Sequence, residues 1–173
     1  MARELVDAAS RNVRAAEVER GRLALGEAIE ALRPSALSEL GLLKAMDCGV
    51  TRQQAGRAGL GFSLHANDPG ALTALDDAAS LAAYRIEQEA VNNVVRHADA
   101  TAVEVRLRVG WRRGEPWLLV AVEDDDVGIS PAYRPGNGLR NMRDRALMLG
   151  GDLRIGARRP CVTRVRAWLR AQA

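Results

Sequence analysis

The sequence predicts an α+β protein: helices cover one face of a mixed, mostly antiparallel sheet, and an N-terminal helical segment precedes it. Three observations carry that expectation. Segment 102–109 (AVEVRLRV) alternates apolar and polar residues with the period of a half-buried strand. Segment 74–98 places Ala83, Ile86, Ala90 and Val94 on an apolar stripe of helical character. Strand-like runs are confined to the chain after residue 58, whereas two helical patterns come before it.

Taken in order, residues 3–32 read as a helix through Leu5, Ala8, Val13, Val18, Leu23, Leu25, Ala28, Ile29 and Leu32. Pro34 ends it, and Ser35 is placed to cap a second helix through Leu40, Leu42, Leu43 and Met46 that fades towards Gly56 and Gly59. Residues 60–65 alternate like a strand, and Asn67-Asp68-Pro69-Gly70 reads as a turn. After the long helix come strands 102–109 and 117–123, joined by a hairpin connection over 112–116. An acidic, glycine-containing loop leads to a helix over 138–149, stopped by Gly150-Gly151, and strands 152–157 and 162–169 complete the sheet. The organisation expected is a helical segment over 1–57 and a sheet-bearing domain over 58–173. Whether the first two helices pair in a homodimer or pack on their own domain is left open by the pattern.

Composition narrows the function. A chain of 173 residues with 47% hydrophobic content can bury one good core. It has no apolar run of the roughly 18 residues needed to span a bilayer. Its N-terminus is charged and amphipathic rather than signal-like, so no membrane contact and a cytoplasmic location are expected. Cys48 and Cys161 lie far apart, and with only His65 and His97 as imidazoles a structural zinc site is not expected. Lys44 is the only lysine among 25 basic residues, which are interleaved with 22 acids. Aromatics at 3% leave little for bases to stack on, so nucleic acid is not an expected partner.

Three constellations carry chemistry. In Gln88-Glu89-Ala90-Val91-Asn92-Asn93-Val94-Val95-Arg96-His97-Ala98, Glu89, Asn93 and His97 fall at i, i+4 and i+8 on one helix face, with Asn92 and Arg96 beside them. Asparagine is a mediocre helix former, and a neutral oxygen donor suits a Mg²⁺ ion that also holds phosphates, while a carboxylate one turn earlier suits proton transfer. In Val120-Ala121-Val122-Glu123-Asp124-Asp125-Asp126-Val127-Gly128-Ile129, an apolar strand ends in carboxylates and a glycine. In Gly136-Asn137-Gly138-Leu139-Arg140-Asn141-Met142-Arg143, glycines precede a helix whose N-terminal N–H groups attract anions. A solvated polar face and an ordinary acidic turn account equally well for the first two when each is taken alone.

In this order and spacing, the three segments resemble the asparagine box and two glycine boxes of the Bergerat-fold (GHKL) ATPases. QEAVNNVVRHADA, VEDDDVGI and GNGLRNMRDRALMLGGDLRI followed by TRVRAWL resemble the nitrate-sensor (NarX/DesK-like) class of sensor histidine kinases, and LRPSALSELGLLKAM is similar to the segment that ends its dimerisation and phosphotransfer helices. The resemblance covers about residues 30–170. It implies a two-layer α/β sandwich that binds ATP and Mg²⁺. Glu89 becomes the candidate catalytic carboxylate and Asn93 the Mg²⁺ ligand, with Asn92, Arg96 and His97 near the phosphates. Asp124 would read the adenine amino group, with Gly128, Ile129 and Thr163 in the same nucleotide site, and Gly136, Gly138 and Leu139 would form the phosphate-side loop. The implied partners are a histidine-bearing phosphotransfer domain, a response regulator and a second copy through the N-terminal helices.

Three departures stand out. Asp126 occupies the place where the first glycine of the box belongs, adding charge near an anionic ligand, and Val162 stands where a glycine usually precedes Thr163. Arg3-Glu4-Leu5-Val6-Asp7 resembles the phosphoacceptor box with Val6 in place of histidine, but it lies too close to the LRP segment. The expected function is therefore transfer of the γ-phosphoryl group to a histidine outside this chain, with autophosphorylation by the chain alone not expected. The competing expectation is a degenerate nucleotide-binding or regulatory module without turnover. A stand-alone ATPase or an anti-sigma-type serine kinase of the same superfamily is a third.

Overall fold

A computed structural model describes residues 34–112, 114–126, 136–158 and 162–171, and residues 36–173 form one compact unit. The expected helix over 3–32 lies outside the described residues. Among the described residues two helices come first, α1 (Ser35–Asp47) and α2 (Val50–Arg57). The single fading helix expected here is thus two, and α1 is itself interrupted at Gly41. Gly41 takes φ 74°, a left-handed backbone that breaks the helical ladder and that glycine adopts without steric cost. Leu37, Leu42, Ala45 and Met46 of α1 and Ala55 of α2 are buried members of the main apolar cluster.

Strand β1 (Gly61–Ala66) is followed by a short helix, α3 (Pro69–Thr73), where the sequence predicts only a turn. The reason is local: the Asp68 side chain accepts from the Ala71 N–H at 2.9 Å, and Pro69 fills the first helical position, where a missing N–H costs nothing. The long helix α4 (Asp77–His97) begins three residues later than expected, because Asp76 caps it by accepting from the Ala79 N–H at 2.7 Å. Strands β2 (Ala102–Arg112) and β3 (Glu115–Asp124) also run further than expected. Trp111 pairs with Pro116 and Arg112 with Glu115, so most of the expected 112–116 connection belongs to the ladder itself.

Helix α5 (Asn137–Met148) and strands β4 (Asp152–Arg158) and β5 (Val162–Arg170) complete the described fold. The Gly150 and Gly151 N–H groups bond back to the carbonyls of Leu147 and Ala146 at 2.9 Å each, closing α5 as the sequence predicts. The five strands lie in the order β1-β2-β3-β5-β4, with β1 parallel to β2 and all other pairs antiparallel. This is the mixed, mostly antiparallel sheet expected.

Strand alternation then decides the layers. Val103, Val105, Leu107, Leu118, Val120, Val122, Ala167 and Leu169 are buried beneath α4 and α5, with Ile86, Ala90, Val91 and Val94 facing them. The intervening residues make a charged outer face. There the Arg106 guanidinium reaches Glu104 at 2.6 Å and Glu123 at 3.1 Å, and Arg164 donates to Glu123 at 2.8 Å. His65 stands at 3.6 Å from Glu104 on that outer face.

Candidate functional site

The layers leave the candidate residues at one end of the sandwich, distributed over α4, the end of β3, the start of β5 and the N-terminus of α5. Two of these elements meet directly. A side chain on Gly138 would place its Cβ 1.9 Å from Glu89 Oε1, so Gly138 lets the second residue of α5 close on the Glu89 carboxylate. That close approach, rather than a special backbone angle, is what the structure gives as the physical reason for a glycine here. Gly136 caps α5 with no side-chain bond to its first N–H groups, which leaves them for a ligand or solvent.

On α4, Glu89, Asn92 and Asn93 are half-buried, while Arg96 and His97 are exposed in its last turn. Asn93 Nδ2 is shut off from solvent and has no hydrogen-bond partner. Whichever way the amide is turned, one of its polar atoms awaits a partner: an N–H for a phosphate oxygen, or a carbonyl oxygen for a hard cation. Among the described residues no group of three or more His, Cys, Asp or Glu gathers to hold a metal. A divalent ion here would therefore rest on Asn93 together with phosphate and water oxygens, which fits the sparse protein ligation of Mg²⁺.

Asp124 ends β3 on the core side and is 7% exposed. It faces Thr163 of β5 in register. Burial raises its carboxyl above the ordinary aspartate range; the Asp126 and Thr163 N–H groups pull it back, and the neighbouring Asp126 and Asp125 charges push it further up. The Asp126 N–H donates to Asp124 Oδ1 at 3.1 Å. Leu139 is half-buried against the core, as its helical spacing predicts. Gly128 and Ile129 lie outside the described residues. An open groove of about 730 Å³ lies between Arg140 and Arg143 of α5 and Arg154 of β4. It shares Gly136 and Leu139 with the candidate set but not Glu89, Asn93 or Asp124, so it belongs to the other flank of α5.

Two carboxylates with defined roles were not singled out from the sequence. Asp125 turns away from Asp124 and accepts three hydrogen bonds from Thr101 and Ala102. Glu87 is fully buried on the core side of α4, two residues from Glu89. Burial pushes its carboxyl up to about 8. The buried Thr51 hydroxyl of α2 faces it and offsets a little of that rise, but neither group completes a hydrogen bond. The signal was present: 83, 87, 90 and 94 is a helical row, and Glu87 sits inside it.

Residues 78–173 match the model of the histidine kinase-, DNA gyrase B-, and HSP90-like ATPases. Sensor histidine kinase MctS of Rhizobium johnstonii is 34% identical over an alignment that covers 90% of this chain and 36% of that protein. Sensor histidine kinase ComP of Bacillus subtilis is 32% identical over 133 residues, covering 75% of this chain and 16% of that protein. The chain thus spans only 16–36% of the length of these relatives. Among solved structures, full-length ShkA in complex with AMPPNP aligns with a TM-score of 0.58 at 19% identity, over 77% of this chain and 30% of that one. The histidine kinase domain of the Erythrobacter litoralis EL346 blue-light activated kinase aligns with a TM-score of 0.52 at 22% identity, over 69% and 57%. These two likenesses show the fold. The family match spans more than half of the chain, and the chain belongs to the histidine kinase-, DNA gyrase B- and HSP90-like ATPase family.

Proposed function

We propose that this chain is the ATP-binding catalytic domain of a sensor histidine kinase, and that it transfers the γ-phosphoryl group of ATP to a histidine on another domain for signalling to a response regulator. The observation that carries the proposal is the closure of Gly138 on Glu89, which brings a carboxylate and a helix N-terminus to one place. Developing phosphate charge would meet the α5 N–H groups, while the acceptor nitrogen would meet Glu89. Asn93 is the residue to hold Mg²⁺, which when bound neutralises phosphate charge and aligns the transferring group. Asn92, Arg96 and His97 line the phosphate side of α4. Asp124 accepts from the adenine amino group, with Thr163, Gly128 and Ile129 around the base and Gly136 and Leu139 completing the phosphate loop.

In the transfer itself the acceptor imidazole nitrogen attacks the γ-phosphorus, the bond to the β-phosphate bridging oxygen breaks, and ADP leaves with that electron pair. Glu89 orients the imidazole and takes its N–H proton. The chain's share is positioning and charge neutralisation. Residues 1–57 would serve as the remnant of a dimerisation and phosphotransfer region, with residues 58–173 as the catalytic domain in the cytoplasm. No described helix is long and apolar enough to cross a membrane.

One observation favours a second reading. Asp126 stands beside Asp124 and places another negative group at the nucleotide site, which suits a regulatory module without turnover. Calorimetric titration with Mg·ATP tests the first reading. Binding in the micromolar to millimolar range is expected, weakened about tenfold or more by Asn93→Ala and by Asp124→Asn. No heat at millimolar nucleotide with a folded chain would contradict it, and binding restored by Asp126→Gly would then establish the second.

A further inference from the structure

The run Asp124-Asp125-Asp126 follows directly on β3, yet its members face different ways. Asp124 is buried, and the Asp126 N–H folds back onto Asp124 Oδ1 at 3.1 Å. Asp125 instead points to the segment that leaves the end of α4. Its Oδ1 accepts from the Thr101 N–H at 2.8 Å and from the Ala102 N–H at 2.9 Å, and its Oδ2 accepts from the Thr101 hydroxyl at 2.6 Å. The Asp125 N–H reaches back to the Ala102 carbonyl at 3.4 Å. Asp125 is exposed, so a carboxylate there has water available; it is nevertheless committed to one dipeptide. Charge-assisted bonds of this kind favour the ionised form, and they hold the Asp125 carboxyl down to about 2.

The topology gives this clamp its consequence. Thr101 and Ala102 join the last turn of α4, which carries Asn93, Arg96 and His97, to β2. Asp125, the residue that follows Asp124, holds the same dipeptide. The two ends of the proposed nucleotide site are thereby tied through a single carboxylate. Without it, the chain after Asp124 would lose its three short bonds to Thr101 and Ala102 and keep, toward that dipeptide, the longer 3.4 Å bond from the Asp125 N–H to the Ala102 carbonyl.

We propose that Asp125 is a positioning residue for nucleotide recognition: by clamping Thr101 and Ala102 it fixes the Asp124 carboxylate in the orientation that reads the adenine amino group. The inference rests on Asp124 serving as the adenine reader. The test measures binding of the full chain to Mg·ATP and to the Mg complex of purine riboside triphosphate, which lacks the 6-amino group. Asp125→Ala is expected to weaken ATP about tenfold and to leave the amino-free nucleotide within about twofold, so that preference for ATP collapses. Asp125→Asn keeps an acceptor for both N–H groups and an amide that donates to the Thr101 hydroxyl, so it is expected to retain the preference. Thr101→Val, which removes only the hydroxyl bond, is expected to lose about threefold in ATP affinity alone.

Asp124→Ala, which removes the acceptor, separates the two possible failures. If it abolishes the ATP preference while Asp125→Ala keeps it, the positioning role is overturned and the adenine reading stands. If Asp124→Ala leaves the preference intact, the adenine reading fails and the proposal with it. A parallel loss of both nucleotides in Asp125→Ala, accompanied by a lower Tm and matched by Thr101→Val, marks a purely structural clamp and also overturns it.

Discussion

Glu87 and Glu89 are two residues apart on one helix, and their surroundings could hardly differ more. Glu87 points into the core, has no hydrogen-bond partner and holds its proton up to about pH 8. Glu89 is half-buried at the site, with the α5 backbone at Gly138 drawn up against it. A helix turns about 100° per residue, so a shift of two positions carries a side chain to nearly the opposite face. The lesson is that residue type says little about chemistry until the face is known. The same carboxyl group is a neutral filler of the core at one position and the proposed proton acceptor at the other.

The largest effect expected from this contrast lies in activity. Glu89→Ala should lower phosphoryl transfer to a separate histidine-bearing domain by at least about a hundredfold while leaving the affinity for Mg·ATP nearly unchanged. Equal losses in both would show that Glu89 is a ground-state ligand instead.

Glu87 should affect stability next. Its value in the folded chain is raised from an ordinary 4.5 to about 8, so across that window the native state holds a proton that the unfolded state has released. Stability must then fall as pH rises through the window and level off above it. At pH 7 the cost is on the order of 3 kcal/mol, from about 1.4 kcal/mol for each unit of pH above the ordinary value. Glu87→Gln should flatten the pH dependence measured by denaturant unfolding, and Glu87→Leu should raise stability near neutral pH. A slope unchanged by Glu87→Gln would place the titrating group elsewhere.

The smallest change in structure tests the contact between the two helices. Gly138→Ala adds one methyl group directed at the end of a flexible side chain, so the chain should lose less than about 1 kcal/mol of stability. Transfer should nevertheless fall about tenfold, because Glu89 must move away. In the double variant with Glu89→Ala, Gly138→Ala should have no further effect on rate.

Much of this molecule was legible in its sequence, because periodicity and boxes are local signals. The alternation in 102–109 and the two-glycine stop after α5 each lie within or beside one element and reappear in the fold, and the described parts of the three boxes fall on α4, the end of β3 and the start of α5. What escaped depends on contacts between distant residues or on a single backbone angle. The break at Gly41 could not be separated from an ordinary helix carrying a glycine. The clamp of Asp125 on Thr101 spans 24 residues, and nothing near Asp125 in the sequence announces it. Glu87 is different: it lies within the apolar row of α4, and a charged residue there is itself the signal of an unusual core. Asp126 remains the one residue of the first glycine box that runs against its pattern.

The proposed transfer ends on a histidine outside this chain, and that destination can be measured directly. Incubation of the chain with γ-labelled Mg·ATP and a separate histidine-bearing phosphotransfer domain should place acid-labile label on that domain and none on the chain itself. Label on the chain, acid-stable phosphate on serine, or ADP release that proceeds equally well without the acceptor would contradict it.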